Sequence, residues 1–555
     1  MTGDHASPNS LYQLQPFGRT AVLVTFAPAD ISANPLLPDR TAQILRKEWD
    51  RRASGSTSLI DVIPAEDTLL IRFDDAIDQA SVDQLDQLIG NAQTSGAAIP
   101  IPPTIVSAPV VIPVTYNGAD LADISAQCGI SVDRLIDTHV NTDFTVAFCG
   151  FAPGFAYLTG LPDALHVPRR HTPRTRVPAG SVAIAEHYSA VYPQESPGGW
   201  HLIGHTDLTL FDPRHDAPPL LRPGMTVRFA HAGERIEIAS DPLSSAASTQ
   251  PTATLSPEPH ASTPAGARIH ATGMGCVIED LGRPGWGHLA ISESGAWDRR
   301  SHRLAQRLVG NDENAAGLEC VAGGLHLRAL EPLTVAITGA PGPAWISRAD
   351  TDIAVSTHIP LYLAAGESLR IGMPTSGLRR YVAIRGGIQA MSMFDSRSTD
   401  TLSGLGPAPL DAGAHLHFGQ ATHEVPGIDA MAPDPVSSDA AMIPTANWSL
   451  LHPATREHLA SGSFHMSAAS DRVGIRLVGP AAQWLPDARV TALSRPMIRG
   501  AIQMPPDGQP VVFGPDHPAT GGYPIIGVLA DPDAPAQWAP GVTVALNEVI
   551  PFHLA

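Results

Sequence analysis

The sequence has few cysteines. Four occur in 555 residues, and no two of them form a CxxC pair or have the spacing of a zinc site. They are Cys128, Cys149, Cys276 and Cys320. Neither a disulfide framework nor a structural metal is therefore indicated, and the composition fits the reducing environment of the cytoplasm.

Positive charge is also scarce. There are 35 Lys and Arg residues against 54 Asp and Glu residues, which gives a formal net charge of −19 at pH 7. Proteins that bind the phosphate backbone concentrate Lys and Arg to displace counterions. We therefore expect no nucleic-acid partner, and local clusters of arginine stand out against the acidic background.

Long hydrophobic runs are missing. No apolar run approaches the roughly 18 residues that a membrane-spanning helix needs. The N-terminal segment MTGDHASPNS lacks the basic start and the apolar core of a secretory signal. We expect a cytoplasmic protein with no membrane partner.

Aromatic residues make up only 5 % of the chain, whereas hydrophobic residues make up 43 % and there are 53 prolines. The apolar content is ample for folded cores. The length exceeds the roughly 250 to 300 residues at which a single core stops growing. We expect three or four domains, built mainly from short strands bounded by turns.

The first hundred residues have a mixed pattern. Strands are predicted over 21–26, 59–63 and 68–73, and helices over 40–52 and 81–93. The order β-α-β-β-α, with a β-rich run after Pro100, is the split βαβ pattern of a small ferredoxin-like α/β domain, over 15–105. No catalytic constellation occurs in it, so packing or docking is its expected role.

From Val110 the pattern changes to short β runs between Gly and Pro, with brief helices at about 119–127 and 131–137. A phrase with an apolar residue, a turn ending in Gly and a strand recurs. It occurs at 218–230, 359–372, 408–419 and 535–547. Singly each is a β-turn with a strand, and together they indicate repeated β domains, over 106–238, 268–425 and 440–555.

A stretch over 239–267 is rich in Ser, Thr, Pro and Ala, and its only large apolar residue is Leu. It has no material for a core and is predicted to be a flexible linker. It divides the chain into two halves.

The segment 150–206 of the first half has little regular periodicity and is predicted to be a functional loop region between short strands. Arg169, Arg170, Arg174 and Arg176 lie within eight residues of one another, interleaved with prolines. Arginine forks bind carboxylates and phosphates bidentately, which predicts an anion site. A solvated basic loop is the alternative.

The sequence SPGGW places Gly198 and Gly199 between Ser196 and Trp200. Successive glycines let backbone N–H groups approach an anion, and Trp200 would exclude water. A plain hairpin turn explains the two glycines equally well. His139 and His205 are candidate general bases, although a single histidine is more often structural.

In the second half, Asp280, Arg283, Ser294 and Asp298 form compact polar clusters beside glycines. They are candidates to hold a metal with nucleotide, to position a water or to pair with the arginines of the first half. Helix capping is the alternative for Asp298, which precedes an amphipathic helix predicted over 299–310. No GxxxxGK[ST] or GxGxxG motif occurs, so a standard nucleotide cradle is absent.

Several motifs together carry a family resemblance. The first half contains GFAPGFAYLTGL, VPAGSVAIA and VYPQESPGGWHLIG. The second half contains EDLGRPGWG, YVAIRGGI, SRST, GAIQMPPDGQP and TGGYP. The first half resembles the B-type subunit of bacterial ATP-dependent 5-oxoprolinase, also called allophanate hydrolase subunit 1. The second half resembles the C-type subunit, of the biotin-dependent carboxylase-like family, and the two matches cover about 15–235 and 267–550.

This resemblance implies a ferredoxin-like domain followed by three cyclophilin-like β-barrels. It also implies an amidohydrolase component that opens 5-oxo-L-proline to L-glutamate with ATP, together with magnesium, and with a separate A-type subunit as partner. A homo-oligomer is compatible with it, and no resident metal is expected. Two alternatives are a carboxyltransferase or allophanate hydrolase-like component acting on a urea-like amide, and a non-catalytic inhibitor of a sensor kinase.

On this resemblance we assign site residues as hypotheses. The catalytic group comprises His139, Arg169, Arg174, Asp280 and Asp298. The group that binds substrate or anion comprises Arg170, Ser181, Tyr192, Ser196, Gly198, Gly199, Trp200, Arg283, Ser294, Arg385, Gln503, Gly522 and Tyr523. We expect the two halves to form one composite site, and replacement of Arg174 by alanine to abolish turnover while leaving the fold intact.

The chain departs from the family pattern at four places. His205 stands where arginine is usual and Glu279 where glutamine is usual. Arg495 and Pro496 stand where Glu-Gly is usual, and Ala519 stands where threonine is usual. These changes predict a diverged substrate preference or a loss of activity.

Overall fold

The computed structural model describes residues 12–52, 57–94, 108–170, 172, 174–215, 218–233, 266–349, 351–421, 423, 437–488 and 493–549. The predicted linker over 239–267 lies almost entirely outside the described residues. The described chain is mainly β with a few helices, as predicted. None of the helices in these ranges is long and apolar enough to cross a membrane.

The N-terminal unit is a four-stranded antiparallel sheet with helices on one face. Its elements are β1 (Tyr12–Pro16), β2 (Ala21–Phe26), α1 (Pro28–Ala33), α2 (Leu37–Arg52), β3 (Leu59–Pro64), β4 (Thr68–Phe73) and α3 (Gln79–Thr94). The strand order is β1-β2-β4-β3. The three predicted strands and two predicted helices are confirmed. Strand β1 was not predicted, because its sequence YQLQP is largely polar, as suits the outer strand of a sheet.

Both faces of this sheet are covered, so its central strands are apolar throughout rather than alternating. One face packs against α2 and α3 through residues such as Val24, Ile71 and Trp49. The other face, with Leu23 and Leu70, shares a core with residues of the last unit. The predicted docking role of this unit therefore has a physical basis in a second apolar face.

The second unit contains most of the segment predicted to be functional. Its elements are β5 (Val110–Val114), α4 (Leu121–Cys128), α5 (Val132–Val140), β6 (Asp143–Cys149), β7 (Ala156–Thr159), β8 (Arg174–Val177), β9 (Ser181–Ala185), β10 (Tyr188–Val191), β11 (Ser196–Gly198), β12 (His201–His205) and β13 (Thr226–His231). Seven strands form a sheet in the order β12-β9-β10-β7-β6-β13-β5, and β8 pairs with β11. A bridge between Thr115 and His205 links the two edges, so the sheet curls towards a barrel.

The third unit stacks two sheets over one core. Its elements are β14 (Ala267–Thr272), β15 (Cys276–Glu279), α6 (Arg299–Leu308), β16 (Gly317–Val321), β17 (Leu325–Ala329), β18 (Leu333–Gly339), β19 (Ala344–Arg348), β20 (Thr351–Val355), β21 (Pro360–Leu363), β22 (Ser368–Ile371), β23 (Arg379–Ile384), β24 (Ile388–Gln389) and β25 (His415–Phe418). The sheet orders are β20-β19-β22-β17-β14-β25-β24 and β15-β16-β23-β18-β21. Helix α6 confirms the helix predicted from residue 299.

The last unit is a closed barrel with strand order β26-β33-β30-β31-β28-β27-β34. Its elements are β26 (Asp439–Pro444), α7 (Pro453–Ala460), β27 (Phe464–Met466), β28 (Gly474–Val478), β29 (Arg495–Pro496), β30 (Ala501–Gln503), β31 (Val511–Phe513), β32 (Thr520–Gly521), β33 (Ile525–Leu529) and β34 (Thr543–Glu548). Short 3-10 helices occur at Asp163–Leu165, Gly287–Leu289, Ala446–Leu450 and Ala534–Gln537.

The recurring phrase does end in a strand at each of its four positions, namely β13, β22, β25 and β34. The second and last units also share one topological detail. Strand β13 pairs in parallel with the first strand of its unit, β5, and β34 pairs in parallel with β26. These two units therefore have related builds, as the repeated phrase predicted.

Candidate active site

Motif segments from the two halves meet at one place. The backbone N–H of Phe151 donates to Thr520 Oγ1 at 2.8 Å, and Ser494 Oγ donates to the Tyr157 hydroxyl at 3.1 Å. The turn between β3 and β4 of the N-terminal unit reaches the same place. We call this region the junction site, and it comprises Glu66, Tyr157, Arg169, Glu186, His187, Ser494, Thr520 and Gly522.

Two glycines allow the halves to approach this closely. A Cβ atom on Gly150 would lie 2.6 Å from Thr520 Oγ1, and one on Gly522 would lie 2.3 Å from Arg169 Nη1. Neither distance is compatible with a side chain in the present arrangement. Contact across the junction thus explains Gly150 of the GFAPGFAYL motif and Gly522 of the TGGYP motif.

Arg169 is the cation of the junction site. Its side chain is 24 % exposed, and its Nε lies 3.4 Å from Glu186 Oε1. Its Nη2 atom is buried and has no hydrogen-bond partner among the described residues. A guanidinium with spare N–H groups, held beside the backbone of Gly522, is suited to bind a carboxylate or a phosphate.

Glu66 is the most buried carboxyl of the junction site, at 7 % exposure. Its Oε2 accepts a hydrogen bond from the Ser494 N–H at 3.1 Å, and its Oε1 lies 3.7 Å from His187 Nε2. Burial raises the pKa of Glu66 to about 7, although the Ser494 hydrogen bond opposes the shift. This carboxyl can therefore carry a proton near neutral pH.

The hairpin between β9 and β10 forms another wall of the site. Glu186, at its tip, has a φ of 54°, and Phe151, across the site, has a φ of 66°. Left-handed backbone at non-glycine residues costs of the order of 1 kcal/mol or more and is found at functional sites. His187 is about half exposed, so the site is open to solvent on this side.

Two further predicted residues lie beside Gly522. Gln503 donates from Nε2 to the carbonyl oxygen of Tyr523 at 3.2 Å, and a Cβ on Gly521 would meet the same amide. The structure therefore brings together Arg169 from the first half with Gln503, Gly522 and Tyr523 from the second.

Arg170 and Arg174 are both held by one buried carboxylate, although Arg170 Nε and Arg174 Nη1 are also buried without a hydrogen-bond partner in the described chain. Both contact Asp120 Oδ1, at 2.9 and 2.7 Å, and Asp120 Oδ2 accepts from the Leu202 N–H at 2.7 Å. Burial of Asp120 opposes its ionisation, but the hydrogen bonds from Arg174 and Leu202 hold its pKa below the ordinary value. These contacts give both arginines a part in the fold, so Arg174→Ala is expected to affect stability, while the catalytic role assigned to Arg174 stays a prediction.

The SPGGW segment packs into a cluster of aromatic rings. Trp200 is 5 % exposed and its ring lies 5.5 Å from the rings of Phe155 and Tyr157. Gly198 lies against the Tyr192 hydroxyl, since a Cβ there would be 2.3 Å away. Trp200 thus packs directly against Tyr157 of the junction site, and its predicted role in excluding water stays a prediction.

The other members of this segment make structural contacts. The Gly199 carbonyl accepts from the Arg170 N–H at 2.8 Å, and the Ser181 hydroxyl donates to the carbonyl of Pro178 at 2.8 Å. The Ser196 hydroxyl is buried without a hydrogen-bond partner in the described chain. The predicted anion-binding role of this turn stays a prediction.

His139 lies inside the second unit, away from the junction. It is fully buried; Nδ1 lies 2.8 Å from the Tyr116 hydroxyl and Nε2 2.9 Å from the Ser189 hydroxyl. Burial lowers the pKa of His139 to about 3. The geometry therefore gives His139 a structural role and not the proton transfer that was predicted. His205 contacts Asp207 at the exposed end of β12.

Asp280 and Arg283 organise the loops of the third unit. Asp280 Oδ1 accepts from the hydroxyls of Ser396 and Ser398 at 2.7 and 2.6 Å, and Oδ2 accepts from the Arg397 N–H at 2.6 Å. Arg283 donates to the carbonyl of Ser398. Both residues are 1 % exposed, and among the described residues Asp280 is not paired with an arginine of the first half, which was one of its predicted roles.

Ser294, Asp298 and Arg385 are likewise structural. The Ser294 hydroxyl donates to Asp516 Oδ1 at 2.8 Å. Asp298 caps helix α6 through the Ser301 N–H at 2.9 Å, which confirms the alternative interpretation. Arg385 donates to the carbonyl of Val309 at 2.8 Å, near the end of that helix.

Sequence reasoning missed several junction residues. Tyr157 and Thr520 lie inside quoted motifs and were passed over in favour of their neighbours. Glu66 and Glu186 occupy turns of ordinary composition, which carry no local signal of function. Only the three-dimensional meeting of the units identifies them.

Two family models match the chain. One, described as carboxyltransferase domain, subdomain C and D, matches residues 12–221. The other, described as carboxyltransferase domain, subdomain A and B, matches residues 289–548. Together the two models match most of the chain, and the C and D part precedes the A and B part.

Individual relatives narrow this class. The B-type subunit of 5-oxoprolinase from Haemophilus influenzae is 37 % identical over 204 residues, which are 36 % of this chain and 92 % of the relative. The C-type subunit of 5-oxoprolinase from Escherichia coli K12 is 32 % identical over 269 residues, which are 48 % of this chain and 85 % of the relative. The chain belongs to the family of these two 5-oxoprolinase subunits, with both parts in one polypeptide.

Other matches differ in coverage. The B-type subunit of 5-oxoprolinase from Escherichia coli O157:H7 is 52 % identical over 130 residues, so the chain spans 60 % of that relative's length and the match takes in 23 % of this chain. Urea amidolyase of Saccharomyces cerevisiae is 28 % identical over 287 residues, 47 % of this chain and 15 % of that protein. The crystal structure of TTHA0988 has a TM-score of 0.77 and 30 % identity, over 95 % of this chain and 99 % of that chain.

Proposed function

We propose that this chain is the joined B-type and C-type component of an ATP-dependent 5-oxoprolinase. With a separate A-type subunit, it would open 5-oxo-L-proline to L-glutamate. The names of the relatives that match each half support this proposal. The low cysteine content supports a cytoplasmic location.

One observation supports the junction site as the place of chemistry. Arg169, from the first half, has a buried N–H group without a partner in the described chain and touches the backbone of Gly522, from the second half. A buried donor left unpaired costs about 1–3 kcal/mol, which a bound anion would recover. Neither half alone supplies this arrangement.

The chemistry of 5-oxo-L-proline suits these groups. Its carboxylate is an anion for Arg169, and its lactam has a carbonyl oxygen and a nitrogen that need a donor and a proton source during ring opening. The Tyr157 hydroxyl and Glu66 carboxyl, both within the junction site, supply groups of these kinds.

ATP is the phosphoryl donor of the proposed reaction, together with magnesium. Among the described residues, no group of three or more His, Cys, Asp or Glu side chains is arranged to hold a metal ion. We therefore assign no residue of this chain to a magnesium–nucleotide complex. The A-type subunit is proposed as the partner with which ATP is used.

The test is an assay of glutamate release. The purified chain is incubated with 5-oxo-L-proline and magnesium ATP, with and without an A-type 5-oxoprolinase subunit from the same organism. The proposal predicts ATP-dependent glutamate release only when both proteins are present. Absence of glutamate from the complete mixture would contradict it.

A second candidate is a carboxyltransferase-like role on a urea-like amide. The descriptions of both family models and the match to urea amidolyase favour it. The discriminating arm of the assay replaces 5-oxo-L-proline with urea and carboxybiotin. Transfer of the carboxyl group to urea, without glutamate release from 5-oxo-L-proline, would select this alternative.

A further inference from the structure

Glu66 is the carboxyl that the N-terminal unit places at the junction. It follows directly after β3, in the turn to β4, and the preceding residue, Ala65, belongs to the aromatic cluster around Tyr157. The Ser494 N–H holds one carboxyl oxygen, at 3.1 Å. The other oxygen faces His187 and is free of short hydrogen bonds in the described chain.

Charged and titratable groups surround Glu66 from every neighbouring element. Asp67, its neighbour in the turn, pairs with Arg495 at 3.1 Å on the last unit. The β9–β10 hairpin contributes Glu186, His187 and Tyr188, and the loop before β8 contributes Arg169. Tyr157 completes the set. Asp67 and Glu186 oppose ionisation of Glu66 and Arg169 favours it, while burial raises its pKa to about 7.

Opening an activated lactam has a particular requirement. Once the lactam oxygen carries a phosphoryl group from ATP, water adds to the ring carbon and gives a tetrahedral adduct. That adduct has two possible leaving groups, the phosphate and the ring nitrogen. An unprotonated nitrogen is much the poorer leaving group, so without a proton donor the phosphate departs and the lactam is re-formed.

We propose that Glu66 is the acid that protonates the ring nitrogen of this adduct. The inference rests on the proposed function and gives Glu66 one defined role in it. The neutral carboxyl gives its proton to the nitrogen as the C–N bond breaks, and the electron pair of that bond goes to nitrogen. The hydroxyl oxygen left by the added water forms the carbonyl of an acyl phosphate, and the hydroxyl proton passes to solvent.

The remaining steps restore the starting state. A second water attacks the acyl phosphate, which yields the glutamate side-chain carboxylate and inorganic phosphate. The proton released by the attacking water returns to the Glu66 carboxylate through solvent, which reaches the site past His187. Each glutamate formed thus accompanies one phosphate.

The test compares the two products in the complex of the chain with its A-type subunit. Variant Glu66→Gln keeps the acceptor for the Ser494 N–H but cannot give a proton. It is expected to lose about 10²-fold in glutamate release while phosphate release from ATP continues, so the ratio of phosphate to glutamate rises far above one. In the wild type, the ratio is expected to rise as the pH increases above about 7, and in Glu66→Gln it is expected not to depend on pH in this range.

Glu367→Gln is the matched control. Glu367 pairs with Arg348 in the third unit, and its side chain is 15 % exposed. Glu367→Gln is expected to leave the amounts of both products unchanged. Glu66→Asp retains an acid and is expected to restore part of the coupling. Thermal unfolding of each variant checks that it is folded.

The results distinguish a failure of the role given to Glu66 from a failure of the proposed function. If Glu66→Gln keeps a ratio near one, or loses phosphate and glutamate in parallel, Glu66 is not the acid. If the wild-type complex makes no glutamate at all, the proposed function itself is contradicted.

Discussion

Four arginines in eight residues differ in the carboxylate that each side chain contacts. Arg169 lies 3.4 Å from the partly exposed Glu186, Arg170 and Arg174 share the buried Asp120 carboxylate at 2.9 and 2.7 Å, and Arg176 pairs with Glu195 at 74 % exposure. Sequence composition treats them as one basic cluster. The contacts divide them into a site residue, two structural residues and a surface residue.

The contacts of Arg169 predict that its replacement affects turnover more than stability. Arg169→Ala is expected to lower kcat/KM for 5-oxo-L-proline by about 10²-fold or more, since a charged donor to the substrate is removed. Its melting temperature should change little, because the lost ion pair with Glu186 is partly exposed. The measurement is steady-state glutamate release beside thermal unfolding.

The neighbouring arginines are the controls. Arg176→Ala should match the wild type in both measurements. Arg174→Ala should lower stability by about 1–2 kcal/mol, because Asp120 loses one of its two cations. Equal loss of turnover in Arg169→Ala and Arg176→Ala would contradict the division.

At the scale of elements, the turn after β32 determines where Arg169 lies. A methyl group on Gly522 would lie 2.3 Å from Arg169 Nη1, which is the far end of a flexible side chain. Gly522→Ala is therefore expected to displace the guanidinium, at little cost in stability, and to lower turnover by at least about 10-fold. Gly541→Ala, in a turn whose Cβ position is open but whose φ is 85°, controls for backbone strain. If Gly522→Ala turns over like the wild type, the backbone of this turn does not shape the site.

A second element-scale feature is the buried charge cluster around Arg472. This side chain contacts Glu319 at 2.6 Å, Asp516 at 3.0 Å and Glu279 at 3.2 Å, and it joins β15 and β16 to the last barrel. Burial raises the pKa of Glu279 well above its ordinary value of 4.5, since Glu319 and Asp516 already balance the arginine. Both Glu279 oxygens lack hydrogen-bond partners in the described chain.

The raised pKa of Glu279 has a defined effect on stability. The folded chain binds this proton more tightly than the unfolded chain, so the contribution is fully present below pH 4.5 and is lost as the pH rises towards the raised pKa. The glutamine of Glu279→Gln cannot ionise, so the variant does not lose this stabilisation as the pH rises. It is expected to be more stable than the wild type by about 1–3 kcal/mol at pH 8, with the difference shrinking towards pH 5.

The measurement is denaturant unfolding at several pH values. Glu313→Gln, at a partly exposed ion pair, should show no such dependence. A Glu279→Gln variant that is less stable at pH 8 would mean that the third carboxylate is needed beside Arg472.

Much of the element level could be predicted from the sequence. Apolar periodicity located α2, α3 and α6 and the strands of the N-terminal unit, because these patterns are local. Strand β1 was missed because its residues are polar and its pairing with β2 is not encoded nearby. The domain boundaries remain predictions.

The site was less predictable, for a physical reason. His139, Asp280 and Arg283 have the chemistry of active-site residues, but in buried surroundings they bond to neighbouring hydroxyl groups and to the backbone. Glu66 lies in a turn of ordinary composition and gains its properties only when the last barrel packs against it. The sequence shows the type of each residue. It does not show which side chains are buried, or that the hydrogen-bond partners Ser494 and Glu66 meet although 428 positions separate them.

In the whole molecule, residues of both halves come together at one site, the junction. The N-terminal sheet shares a core with the last barrel, Arg72 pairs with Glu293 at 2.7 Å, and Gly287 N–H donates to Asp61 at 3.0 Å. These contacts hold the first half against the second on several sides. The joining of the two parts in one polypeptide suits a site that neither forms alone.

The most direct measurement is the position of the substrate. An experimental structure of the chain with its A-type subunit and 5-oxo-L-proline is predicted to show the substrate carboxylate against Arg169, with the ring between Glu66 and the turn at Thr520 to Gly522. Substrate bound within one half, away from Arg169 and that turn, would contradict the account.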